Sequence, residues 1–419
     1  MSNYRLLWGI IPLIFLFACS SSGSLSRYDY SYLYQEEQRL IKPKFKVFHQ
    51  DADTSLLYFQ IESNDILYGK LGQDSISKAR ILCKYKLYGK KGERDILDSA
   101  TTPMISTGEN QSNSILQGYV KVKAKAGELY PLEIRFRDVY RDLNVVYYHW
   151  IDKRDNGNDQ YYLMSQGEQV LVEPHLKKGK AYNLKKSQLV EANEFDKSMS
   201  AMEYEMTPPP FATKIGELKY PEIDNLSPIR FEGQEVYIDS IQDINLITTA
   251  EDTSLRPFFF YHFSNHYPEV IEYEEMVGPI RYISTSAEYK KLQQAVNLKK
   301  ELDLFWLKIG KDASRTKQII REYYRRVELA NQYFTDYREG WKTDRGILLI
   351  VYGEPNNIYK DLNREVWTYG EENQILSIRF EFRLIDNPLS RNDFRLVRKE
   401  EYKNNWYRAV DNWRQGKIF

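Results

Sequence analysis

Three kinds of hydrophobic spacing follow one another along this chain. The first is a continuous apolar run, Leu6 to Ala18, behind the lone positive charge of Arg5. At roughly 13 residues it is too short to span a bilayer as a permanent helix, and it has the length of a secretory signal. Residues 20 to about 42 are serine-rich and then charged, and read as a tether. From Phe45 to Glu173 short runs alternate apolar with polar: Phe45–Phe48, Leu56–Ile61, Ala79–Leu87, Ser114–Val122 and Leu132–Phe136. Short strands at such spacing, separated by turn residues, predict a β-sandwich. Residues 174 to 280 predict a second, smaller β module, interrupted by Pro208-Pro209-Pro210, with strands over Arg230–Asp239 and Arg256–His262.

At Thr285 the period becomes helical. Thr285 and Glu288 form a capping box, after which Tyr289, Leu292, Val296 and Phe305 keep helical spacing to Gly310. A second helix starts near Ser314 and aligns Ile320, Tyr323, Tyr324, Val327, Ala330 and Phe334. The unbroken run Ile347–Tyr352 reads as a buried strand, and Gly353–Asn357 as a turn. Strands follow over Glu365–Tyr369 and over Leu376, Ile378, Phe380, Phe382 and Leu384. A last helix carries Tyr402, Trp406, Ala409, Val410 and Trp413, with Gly416 as its C-cap. The expected architecture is multidomain: all-β sandwich modules followed by a C-terminal α+β domain. The expected segments are a leader (1–18), a tether (19–42), a β-sandwich (43–173), a second β-rich module (174–280) and the α+β domain (281–419).

Composition changes this picture at two points. The apolar run ends Leu16-Phe17-Ala18-Cys19 before Ser20-Ser21-Ser22-Gly23, a small residue preceding a cysteine as in a lipobox. Cys19 is therefore the expected lipidation site, and an acyl chain there would be the membrane anchor. The only other cysteine, Cys83, lies in a strand-like run and has no partner for an internal disulfide. Lys plus Arg equals Asp plus Glu at 59 each, which removes bulk charge as a reason to expect nucleic acid. The 34 tyrosines favour strands and half-wet surfaces.

Candidate chemistry is sparse. Asp155-Asn156-Gly157-Asn158-Asp159 suggests a calcium loop, but Arg154 falls where an oxygen ligand is needed, so a hairpin turn is expected. His262 and His266 share helical spacing yet lie in a strand and the turn after it, which makes them structural rather than metal ligands. The chain has no Gly-x-Ser-x-Gly elbow, phosphate-cradling glycine loop, His-Glu-x-x-His helix or paired-cysteine metal spacing. No cofactor and no metal are expected. Lys177–Lys180 reads as a solvated basic face, and Arg321–Arg326 as helix ion pairing with Glu322 and Glu328.

One motif stands out: Gly340-Trp341-Lys342-Thr343-Asp344-Arg345-Gly346, with Gly353-Glu354-Pro355 close behind. With Phe305-Trp306, Glu322–Val327, Ala330-Asn331 and Val366–Tyr369 in order around it, the chain resembles the GWxTD-domain family. The resemblance covers about a third of the chain. It implies a bacterial envelope lipoprotein of Bacteroidota type and carries no catalytic residues over. The physics of the motif favours structure or partner binding. Gly340 would close a helix, Trp341 plug a helix–sheet joint, and Thr343 and Asp344 bond orphan amides. Arg345 would pair with Asp344 or Glu354, and Gly346 would let a strand start against a neighbour. Gly353 and Pro355 would form the following turn. The competing expectation makes Asp344 and Glu354 a glycosidase-like acid/base couple.

Residues 20 to 26 carry no acid, and Ser20 is not an aspartate, which places the expected anchor in the outer membrane with the body facing the periplasm. The expected function is a non-enzymatic scaffold or subunit of an outer-membrane or periplasmic protein complex, serving export, protein insertion or surface organisation. The alternative is a periplasmic hydrolase or glycan-binding protein.

Overall fold

A computed structural model describes residues 29–31, 41–72, 74–89, 95–107, 114–154, 158–200, 206–214, 227–239, 241, 243–248, 258–361, 363–371, 374, 377–385, 387 and 389–417. Cys19, the leader, most of the tether, the Asp155–Gly157 turn and Leu376 lie outside the described residues.

The first module stacks two antiparallel sheets. One holds β1 (Lys44–His49), β2 (Thr54–Glu62) and β5 (Ile115–Lys123) in the order β1-β2-β5. The other holds β3 (Lys78–Tyr88), β4 (Ile96–Thr107), β6 (Leu129–Asp138) and β7 (Leu143–Asp152) in the order β4-β3-β6-β7. Alternation sends Leu57, Phe59 and Ile61 from one sheet, and Ile81, Cys83, Tyr85, Ile134 and Phe136 from the other, into one core. Phe59 meets Phe136 edge-on across that core, with centroids 5.2 Å apart. Gly118 sits opposite Phe59 on β5, where a Cβ would come within 2.6 Å of the ring. Burial raises the Cys83 thiol to about 12, so it is packing rather than a nucleophile.

A second pair of sheets follows. Strands β8 (Tyr162–Gln166), β9 (Gln169–Val170), β10 (Tyr182–Lys186) and β13 (Glu235–Ile238) run in the order β13-β10-β8-β9. Strands β11 (Glu194–Ser200), β12 (Ser227–Arg230), β14 (Ile244–Thr248) and β15 (Phe258–Tyr261) run in the order β12-β11-β14-β15. Their shared core contains Tyr162, Leu184, Phe195, Phe231, Ile247 and Phe260. Strands β8 and β9 fall within the span read from sequence as the first sandwich, but β8 pairs here with β10 and β9 with β8. The span Arg230–Asp239 is two strands joined at Phe231–Gln234 rather than one.

The last region is α+β. Helices α1 (Tyr273–Ile280), α2 (Ser286–Gln293) and α3 (Leu298–Gly310) lead into the long α4 (Ala313–Phe334) and then α5 (Asp344–Tyr352). A sheet in the order β16-β17-β18-β19 follows, made of Asn357–Lys360, Arg364–Tyr369, Ile378–Leu384 and Phe394–Leu396, and α6 (Tyr402–Arg414) ends it. The capping box at Thr285/Glu288 is present, and Gly416 caps α6 at φ +71°.

Three expectations change here. The single helix to Gly310 is two, broken at Gln294–Asn297, and Val296 is fully exposed rather than on the apolar face. Helix α1 occupies part of the stretch assigned to β structure. The run Ile347–Tyr352 is helical: Thr343 caps it, Gly353 ends it at φ +84°, and Ile347 to Val351 are all fully buried. A helix apolar on every side is one surrounded by protein.

Asp29 to Ser31 dock far from the first sandwich in sequence terms. Tyr30 N–H donates to Ile358 O at 2.8 Å, and Ile358 N–H donates to Asp29 Oδ1 at 2.9 Å, so this strap binds strand β16. Tyr30 is buried there and meets Tyr148 of β7 edge-on.

Candidate functional site

The motif begins where α4 ends. Gly340 starts a short 3-10 turn, Gly340–Lys342, pressed against the last turns of α4, and a Cβ on Gly340 would lie 1.9 Å from Ala330 O. Close approach, not a left-handed backbone, is therefore what glycine provides. Asn331 of α4 holds the turn: its Oδ1 accepts Trp341 N–H at 3.2 Å, and its Nδ2 donates to Pro268 O at 3.0 Å.

Trp341 is buried at 6 % exposure and fills a space between helices rather than a helix–sheet joint. Its ring lies against Gly278 of α1, where a Cβ would come within 2.6 Å. Tyr282 meets it edge-on at 6.2 Å and donates its hydroxyl to Trp341 O at 3.1 Å. Thr343 caps α5 by accepting from Gly346 N–H at 3.0 Å, and its own hydroxyl donates to Gly340 O at 2.8 Å. Gly346 lies inside α5, with no room for a Cβ against Gly340 O.

The charged members are spent on partners far along the chain. Asp344 accepts from Leu396 N–H at 3.0 Å and pairs with Arg398, whose side chain is 5 % exposed. Burial pulls the Arg398 guanidinium below its usual range, and it also donates to Pro208 O at 2.8 Å and Pro209 O at 2.5 Å. The proline run thus serves as an acceptor for the arginine that pairs with the motif's Asp344. Arg345 pairs with neither Asp344 nor Glu354. It reaches Glu365 of β17 at 2.9 Å and Asn392 O at 2.7 Å, between the rings of Phe334 and Phe394. Burial works to raise the Glu365 carboxyl, but Lys360 and Arg345 outweigh it and hold it below its usual range. A second buried cluster adjoins: Arg338 bridges Asp336 at 2.6 Å and Asp393 at 3.4 Å, and Arg395 also pairs with Asp393. Burial raises the Asp336 carboxyl despite Arg338.

Gly353 ends α5 and its carbonyl accepts the Tyr369 hydroxyl at 2.9 Å, while Pro355 is buried ahead of β16. Glu354 pairs with Arg325 at 3.3 Å. Of the two carboxylates of the acid/base expectation, Asp344 opens α5 and Glu354 lies past its other end, roughly 15 Å away along its axis. Glycosidase couples need about 5 to 9.5 Å. The structure does not bring them together.

His262 is buried with its Nδ1 against Leu176 O at 2.8 Å, whereas His266 is exposed. Arg325 and Arg326 both pair with Glu322, as the helix spacing suggested. The residues the sequence did not point to are Asp336, Arg338, Asp393 and Arg398. Polar residues crowded behind the amphipathic α4 were a signal, but their partners lie some fifty residues away.

Beside the motif, where the two β modules meet α4, runs a cleft. One cavity of about 650 Å³ is lined by Lys44, Phe45, Gln60, Tyr148, Gln332 and Tyr333 among others. A second, of about 390 Å³, shares Val172, Glu173, Gln332 and Tyr333 with the first and extends to Asp336 and Arg391. Arg391 crosses the junction to Asp152 of β7 at 2.8 Å. Burial would raise that carboxyl, but Arg154 and Arg391 hold it at about 2.

These features define a small α+β domain whose signature residues lock a helix–turn–helix onto a four-stranded sheet. That domain is the GWxTD domain, whose family model matches residues 245–415, so the chain contains a GWxTD domain. The match begins within β14, upstream of the helical region. No curated protein matches the chain.

Proposed function

We propose that this protein is a lipid-anchored component of the bacterial envelope that holds a partner rather than transforming a substrate. In this reading it is a non-enzymatic scaffold or subunit of an outer-membrane assembly, attached through Cys19 and facing the periplasm. One observation carries the non-enzymatic part: the charged side chains of the motif are committed to internal partners, Asp344 to Arg398 and Arg345 to Glu365. A general acid or base has to face its substrate with a usable proton, and these groups face each other. The anchor rests on the apolar run ending at Ala18-Cys19. Among the described residues no helix is long and apolar enough to cross a membrane.

A second reading has its own observation. The cleft at the module junction presents Phe45, Tyr148 and Tyr333 beside Gln60 and Gln332, aromatic faces with amides that suit a glycan. Purification in mild detergent followed by mass spectrometry separates the two. Envelope proteins recovered in fixed proportion support the scaffold. A solitary chain that retains cell-wall or surface polysaccharide, and loses it on Tyr333→Ala, would replace that reading with the second.

A further inference from the structure

Several exposed apolar side chains gather on the first helices of the GWxTD domain and the turns beside them. Val296 projects fully from the α2–α3 turn, and Leu304 and Leu307 lie on the outer side of α3, whereas the exposed Ile271 and Tyr273 at the start of α1 stand among Glu269, Glu272, Glu274 and Glu275. The inner side of α3 sends Leu302, Phe305, Trp306 and Ile309 into the core. Helical geometry interleaves Leu304 and Leu307 with Lys300, Lys308 and Lys311, since positions three and four apart share a face. Although the whole chain is neutral, residues 286–311 carry six lysines against three carboxylates. Those carboxylates are engaged: Glu288 by Lys308 and Arg414, Glu301 by Lys291, and Asp303 by Lys299. Lys290, Lys300 and Lys311 make no ion pair among the described residues. Leucine beside unpaired lysine is the pattern of a helix lying in a bilayer interface, with leucine at the acyl boundary and ammonium among phosphates.

The strap supplies an independent constraint. Only nine residues separate Cys19 from Asp29, and Asp29 and Tyr30 are fixed to β16 of the GWxTD domain. A chain of that length reaches at most about 35 Å. An anchor at Cys19 would therefore hold the GWxTD domain, with the β7 edge of the first sandwich that Tyr30 also touches, within that distance of the lipid.

We propose that the α2–α3 face of the GWxTD domain rests on the surface of the anchoring membrane and binds its anionic phospholipid headgroups. The proposal depends on the reading of Cys19 as an acylated anchor. The acylated full chain is reconstituted into nanodiscs of phosphatidylglycerol and phosphatidylcholine, with an environment-sensitive fluorophore on Leu307→Cys. The buried Cys83 does not compete for the label. Emission should shift to the blue and be quenched by brominated acyl chains, while a label at Tyr237→Cys, on exposed β13, should behave as in water. Lys300→Glu with Lys311→Glu should lower the quenched fraction at least about fivefold. A chain recovered with the nanodiscs whose 307 label stays aqueous would overturn the proposal and leave the anchor standing. A chain not recovered with them at all would remove the anchor, and the proposal with it. A blue shift that appears only when envelope proteins are added, without lipid, would assign the face to a protein partner instead.

Discussion

Trp341 and Asp344 sit three residues apart and test different physics. Trp341→Ala empties a space walled by Gly278 and Tyr282, and should cost about 3 to 5 kcal/mol. Asp344→Asn preserves shape and keeps an acceptor for Leu396 N–H, so the motif read alone makes it the milder change. The structure removes that difference, because the amide leaves the buried Arg398 guanidinium without its counter-charge. Breaking one side of a buried ion pair costs about 3 to 5 kcal/mol, so the two variants should destabilise the domain comparably. Thermal melting of both decides it, and an Asp344→Asn protein as stable as wild type would show that Arg398 does not need its partner. The tyrosines teach a related lesson. Several are not surface anchors but buried wedges whose hydroxyls satisfy carbonyls: Tyr323 at Pro279 O (2.7 Å), Tyr324 at Met276 O (2.8 Å) and Tyr282 at Trp341 O (3.1 Å). An amphipathic ring serves both roles, and composition does not say which.

At the scale of elements, the sequence was readable wherever one face met water. Strand β3 and helices α4 and α6 each show the alternation or helical spacing that their half-buried positions demand. Helix α5 was misread for the opposite reason: with α4, α6 and β19 packed around it, its apolar run has no period to display. The deciding signals were its ends, a threonine cap and a glycine at positive φ, not its middle. Thr343 therefore carries more weight than its size suggests. Thr343→Ala should remove the cap of α5 and the bond to Gly340 O together, costing about 1 to 2 kcal/mol. Thr343→Ser, which keeps the hydroxyl, should restore most of it. Equal melting temperatures for the alanine and serine variants would mean that the methyl group, not the cap, matters.

At the scale of the whole molecule, the succession of β structure and then α+β structure was legible but the joints were not, because a joint is made by residues remote in sequence. Arg391 meets Asp152, Arg398 meets Pro208 and Pro209, and Asp29 meets Ile358. Two histidines sit at such seams. His49 of β1 is fully buried, with Nε2 2.9 Å from Asp152 O and its ring edge-on to Tyr161. His175 stacks on His262 at 6.0 Å and lies 5.0 Å from Tyr267, whose hydroxyl reaches Asn331 O of α4 at 3.1 Å. Burial lowers both imidazoles to about 4, with His262 adding to the effect at His175. Because the folded values lie below the ordinary 6.5, the unfolded chain takes up protons first as the pH drops. The stability these groups contribute is thus complete above about pH 6.5 and is lost as the pH falls toward 4, on the order of 3 kcal/mol for the fully buried His49. The melting temperature should therefore fall through that window. His175→Phe keeps an aromatic ring in place but cannot be protonated, so it should flatten part of the decline. A melting temperature that stays level from about pH 7 to about 4 would show that neither seam has to exclude a proton to hold the modules together.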